Sequence, residues 1–161
     1  MTPISMSKLL TLHAQVERHG VTYGLGAKAH SLHDEPGDFS AIDCSGYTRW
    51  LLFKASGGNL TIPDGSQNQR AWAEQGGLKK VAYKDAAAYI GEKGQRLFIC
   101  FIKPFTNGCG NVGHVWLLTN TDGDAMAETI ESHGGHGPNS RPWNTGVLIR
   151  EGYSCYELEV A

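Results

Sequence analysis

The chain has 161 residues, 40% of them hydrophobic and 19% charged, with 16 acidic and 14 basic side chains for a formal charge of −2. That length holds one domain with a real core and falls short of two ordinary ones, so residues 1–161 read as a single domain. The near-neutral balance offers no basic patch for nucleic acid, and no run approaches the ~18 consecutive apolar residues of a membrane span.

The 21 glycines are roughly twice what an average usage of about 7% gives, so turns should be frequent. Leu9, Leu12 and Val16 fall at helical spacing within Ser7–His19, and Gly20 is placed to stop that helix. The polar stretch from Val21 to Asp38 suits a loop wrapping over a site. A second helix is predicted from Asp43 or Cys44 to about Ala55, with Asp43 as its N-cap and Ser56-Gly57-Gly58 as its end. Shorter helices are expected over Ser66–Gln75 and Asp85–Ile90. The C-terminal half reads as strands at Arg96–Lys103, Val112–Thr119, Met126–His133, Gly146–Arg150 and Ser154–Val160, separated by Gly, Asn and Asp turns. Helices followed by a run of strands imply an α+β domain with an antiparallel sheet of about five strands.

Four cysteines, Cys44, Cys100, Cys109 and Cys155, match no zinc or redox spacing. Cys100 lies in an apolar run and reads as an inert core thiol. Cys109 could pair with Cys155, although free thiols are the expectation. Cys44 differs, because it falls in the first turn of a predicted helix. There, unpaired N–H groups and the helix dipole favour the thiolate, lowering such a thiol from ~8.5 to roughly 3.5–7.5. The Asp43 carboxylate beside it works partly against that.

His114, at the mouth of an apolar strand, is the matching base. Alternation puts His114, Trp116 and Leu118 on one face of their strand, with Val115 and Leu117 on the other. The neighbouring strand carries Glu131 and His133 two apart, and either is placed to orient the imidazole. His133, at a strand end leading into glycines, is the favoured third member, with Glu131 the alternative. The Cys44 N–H is expected in an oxyanion hole, with Tyr23 as a pocket donor. Trp143 is a candidate for stacking on substrate or closing the cleft, weighed equally against packing under its own loop. His30 with His33, and His133 with His136, are each three apart, but both pairs fall in or beside loops and no metal site is expected.

Tyr23-Gly24-Leu25-Gly26, Phe39 through Asp43-Cys44-Ser45-Gly46, and Gly113-His114-Val115, about seventy residues later, together resemble the NlpC-like cysteine peptidases of bacterial cell walls. The resemblance implies a papain-like α+β fold, with the cysteine on a helix and the histidine on the sheet. It also implies cleavage of peptidoglycan stem peptides without a cofactor, commonly at the γ-D-glutamyl–diamino acid bond. By the same resemblance Tyr23, Asp43 and Ser45 flank the substrate cleft; from their own positions in the sequence, Glu131 and Trp143 are further substrate-binding candidates. An amidase or an acyltransferase is the alternative within the fold, and a catalytically silent wall-binding module is the alternative outside it.

Residues 1–8 lack a basic stretch followed by an apolar core. The expected route is therefore synthesis in the cytoplasm and action on the wall after lysis, injection or particle delivery. An injected effector would imply a cognate immunity protein. Nothing in the pattern asks for more than a monomer.

Overall fold

The computed structural model describes residues 2–93, 95–103, 113–121, 126–151 and 154–161; Cys109 lies outside them. Helix α1 (Met6–Arg18) begins where the Ser5 hydroxyl accepts from the Lys8 N–H at 3.3 Å, and it buries Met6, Leu9, Leu12, His13 and Val16. Helix α2 (Cys44–Ala55) starts at the Asp43 cap and stops before Gly57 and Gly58, both at positive φ. It is buried almost all round, which central helices alone can be. Helices α3 (Ser66–Gln75) and α4 (Tyr83–Lys93) follow, with the second longer than the predicted Asp85–Ile90.

Six strands form one antiparallel sheet in the order β3-β8-β4-β5-β6-β7. They are β3 (Lys80–Val81), β4 (Leu97–Ile102), β5 (His114–Thr119), β6 (Glu128–His133), β7 (Gly137–Asn139) and β8 (Ser154–Leu158). Two residues each from β1 (Thr22–Tyr23) and β2 (Ala41–Ile42) pair in parallel beside it.

Alternation divides the core as expected. Ile99, Phe101, Val115, Leu117 and Tyr156 pack with α1 and α2, whereas Phe98, Cys100, Trp116, Leu118 and Cys155 pack with Ala86, Ala87 and Ile90 of α4. Cys100 and Cys155 are free, buried thiols opposite each other on β4 and β8. Burial and their mutual contact push the Cys100 thiol up, which keeps it inert.

One predicted strand is corrected. Gly146–Glu151 is a short helix, α5, whose Leu148 is fully buried against the α4 side of the sheet. Val-Leu-Ile is compatible with either state over so short a run, and tertiary packing decides it.

The β6–β7 hairpin brings β7 tightly under β1. Gly137 sits at φ +69°, and a Cβ there would overlap the Val21 carbonyl oxygen. Gly137→Ala is therefore expected to destabilise the fold by at least about 2 kcal/mol in denaturant titration. Gly134→Ala, with open space around its Cβ position, should stay within about 0.5 kcal/mol of wild type.

Candidate active site

The N-terminus of α2 and the first residue of β5 meet at one end of the sheet. Asp43 holds the helix start by accepting the Gly46 N–H on Oδ1 at 2.7 Å. The N–H groups of Cys44 and Ser45 then lie in a first turn that offers them no intrahelical acceptor. The His114 imidazole faces the Cys44 thiol closely enough that the sulfur helps to hold the ring protonated. Its Nε2 meets Glu131 Oε1 of β6 at 2.7 Å, which leaves Nδ1 for the thiol. The ring also stacks on Trp116, with centroids 5.4 Å apart and planes 22° apart, so its orientation is fixed from the side.

Glu131 is fully buried and is held by a two-pronged Arg141 contact: Nε to Oε2 at 2.8 Å and Nη2 to Oε1 at 2.9 Å. A buried carboxylate survives only when paired and hydrogen-bonded, and here a guanidinium fork and an imidazole supply both. Burial raises the Glu131 carboxyl, but His114 and Arg141 outweigh it and hold the group at about 2. For His114, burial disfavours the imidazolium, while Cys44 and Glu131 outweigh that and raise it to about 9. At neutral pH the imidazole therefore carries its proton and Glu131 its charge.

Behind the cluster, His13 of α1 is buried between Tyr47 and Ser140, with Nδ1 at 2.6 Å from the Tyr47 hydroxyl and Nε2 at 2.9 Å from Ser140 Oγ. Burial lowers it to about 4, so it is a neutral strut that fixes the residue preceding Arg141.

Cys44 opens onto a cleft of about 340 Å³ lined by Tyr23, Leu25, Gly26, Lys28, Asp43, Ser45, Ser66, Gln67, Asn68 and Gly113, among others. Burial, then the neighbouring Cys44 and Asp43, push the Tyr23 hydroxyl up to about 12, so it remains a hydrogen-bond donor. Gly113 is needed where it stands, because a Cβ would lie 2.6 Å from the Ile102 carbonyl oxygen and 2.8 Å from Gln67 Nε2. Any side chain there would displace His114 or fill the cleft.

No protein-family model matches the chain, and no curated protein matches it by sequence. Solved structures do match it. A protein of the NLP/P60 family from Staphylococcus aureus, described as similar to a lipoprotein, superposes with a TM-score of 0.59 at 14% identity over 99% of this chain. An NlpC/P60 family protein from Bacillus cereus gives 0.55 at 21% identity over 96%. The fold is that of the NlpC/P60 proteins. The chain spans less than half of either structure, 44% and 41% respectively.

Within this NlpC/P60 fold the predicted residues Cys44, His114, Tyr23, Asp43 and Ser45 come together, and two others do not. His133, expected to orient the imidazole, turns its Nε2 to Asn139 Oδ1 at 2.7 Å, and Glu131 takes the place beside His114. Both side chains start from the same face, but only the carboxylate has Arg141 to offset its burial. Trp143, a candidate cleft residue, instead packs on Tyr83 of α4 with ring centroids 6.0 Å apart, among residues of the opposite core cluster. Sequence reasoning missed Arg141 and Lys28. Arg141 was detectable only by reading the Gly134-Gly135 turn as a hairpin, which brings the chain after Asn139 back along β6.

These ionisations set the pH range of stability. Glu131, lowered in the fold, contributes fully above about 4.5 and loses its contribution as pH falls towards about 2. His13, buried neutral, already costs stability as pH falls from about 6.5 towards about 4. His114, raised in the fold, contributes fully below about 6.5, and that is lost as pH rises through about 9. Stability measured by denaturant titration is thus expected to peak near pH 6.5. The alkaline limb should fall by on the order of 3 kcal/mol, and Cys44→Ala, which removes one raising partner, should move that limb to lower pH.

Proposed function

We propose that this protein is a cysteine hydrolase that cleaves amide bonds in peptidoglycan stem peptides, with the γ-D-glutamyl–diamino acid bond as its target. The observation that carries the reading is the series Cys44–His114–Glu131, its imidazole hydrogen-bonded to the carboxylate, set at a helix N-terminus and opening on a cleft of about 340 Å³. The wall substrate is inferred from the NlpC/P60 fold and from the resemblance of Tyr23, Asp43-Cys44-Ser45-Gly46 and Gly113-His114 to that family's motifs.

Cys44 Sγ attacks the carbonyl carbon, forming an S–C bond and an oxyanion that faces the Cys44 N–H and the Tyr23 hydroxyl. Removing one such donor typically costs about 10²–10³ in rate. His114 passes its proton to the leaving nitrogen as the C–N bond breaks, which leaves a thioester. Water then attacks that carbon, His114 takes one of its protons, and the S–C bond breaks to release the acid, which loses its proton to solvent, and to restore the thiolate–imidazolium pair. Each of these groups belongs to this chain. Glu131 holds the ring so that one nitrogen faces the sulfur throughout, and Arg141 keeps Glu131 ionised.

No helix among the described residues is long and apolar enough to cross a membrane. Delivery as a lysin, a virion protein or an injected effector is compatible with this reading, and the last of these predicts an immunity protein that plugs the cleft. The test is digestion of isolated sacculi with mass analysis of released fragments. New amine termini on the diamino acid support the proposal. Intact free stems would instead indicate an amidase, and transfer to an added amine an acyltransferase. Sedimentation with the sacculus and no fragments would indicate a binding module. Iodoacetamide should abolish release, and a chelator should leave it unchanged.

A further inference from the structure

Asp43 poses a problem for a nucleophile at residue 44. Its carboxylate is needed as the cap of α2, yet a buried anion adjacent in the chain opposes formation of a second anion on the sulfur. The structure answers with Lys28, whose Nζ lies 2.8 and 2.7 Å from the two Asp43 oxygens, 2.8 Å from Ser45 Oγ and 3.1 Å from Asp64 Oδ1. Burial alone would lower this lysine, but the Asp43 and Asp64 contacts outweigh it and keep it charged. The lysine is built in: a Cβ at residue 46 would lie 2.9 Å from Lys28 Cδ and 2.9 Å from Asp43 Oδ1, so the glycine after Ser45 makes room for it. An ammonium has three donors, and these acceptors use all of them. Lys28 is therefore not a free cation waiting for an anionic ligand.

We propose that Lys28 is a positioning residue for the thiol chemistry, its ammonium cancelling the Asp43 carboxylate beside Cys44 so that the helix cap does not suppress ionisation of the nucleophile. The inference rests on the reading of Cys44 as nucleophile. Among the described residues, the charged and titratable groups around the sulfur are His114 from β5, backed by Glu131 and Arg141, Tyr23 from β1, Asp43 at the cap, and Lys28 and Asp64 from the flanking loops. Asp64 is 55% exposed and solvent screens it, so the balance turns on Asp43, which is 8% exposed.

The experiment is the rate of iodoacetamide alkylation at Cys44 against pH, read by peptide mass mapping so that the other cysteines do not contribute. Lys28→Met is expected to shift the curve to higher pH and slow the reaction about tenfold at neutral pH, the size of a shift of one pH unit. Lys28→Arg should restore most of the rate. Lys28→Met/Asp43→Asn should return the curve to the wild-type position, because the amide still accepts the Gly46 N–H but carries no charge. Asp43→Asn alone should move it to lower pH, which keeps the question open to test if Lys28→Met does not fold. An unmoved curve in Lys28→Met, a double variant as slow as Lys28→Met, or no shift in Asp43→Asn would overturn the inference. Wild-type Cys44 reacting no faster than an unfolded-peptide cysteine would instead overturn the nucleophile reading itself.

Discussion

Cys44→Ala and His114→Ala are each expected to reduce fragment release from sacculi by about 10⁴–10⁶, and the double variant by no more than the worse single one. The reason lies in the imidazole proton. With His114 held at about 9 by Cys44 and Glu131, the attack by sulfur and the proton delivered by the imidazole depend on each other in the proposed reaction, and removing either member leaves the other without its function. Initial rates on one sacculus preparation, compared across the three variants, check this. Effects that multiply would mean that the two residues act in separate steps. Binding to the sacculus should survive in Cys44→Ala, because the cleft walls at Tyr23, Ser45 and Asn68 remain. That variant therefore separates recognition from cleavage.

The parts of the site that were legible in the sequence are those written locally. The α2 start could be read because an Asx cap, a small residue and a glycine-closed end follow one another within a single helix. The faces of β5 could be read because alternation over Val115-Trp116-Leu117-Leu118 admits one reading. What depends on distant pairing could not. The strand β7, Gly137-Pro138-Asn139, is made of residues that disfavour strands, and it exists because β6 pairs with one of its edges and Val21 presses on its first glycine. With that hairpin unread, Arg141 has no known place, and the glycines that follow His133 point to it rather than to Glu131 as the companion of His114. Lys28 was equally hidden, since nothing local to Gly-Ala-Lys tells that its ammonium folds back onto a cap fifteen residues later. Sequence pattern thus located Cys44 and His114, while the charged groups around them came from tertiary contacts.

Glu131→Gln should show how much of the chemistry depends on that charge. The substitution keeps shape and one acceptor, but it removes the anion that both the imidazolium and the Arg141 guanidinium require. Its new NH₂ must then face an N–H of His114 or of Arg141, so two donors meet inside a fully buried site. Loss of one member of a buried ion pair costs about 3–5 kcal/mol in stability. The catalytic loss should be about 10²–10⁴, the scale seen when the group that orients a catalytic imidazole loses its charge. Because Glu131 is one of the two partners raising His114, the alkaline limb of the pH–rate profile should also move to lower pH. The matching change at His133, whose ring meets Asn139, is expected to leave that profile in place. Adding Arg141→Met to Glu131→Gln removes the stranded guanidinium and should recover much of the stability with none of the rate. If both returned together, Glu131 would be a packing residue rather than the orienter of His114. If stability alone returned, the carboxylate would act on the reaction through the imidazole it holds.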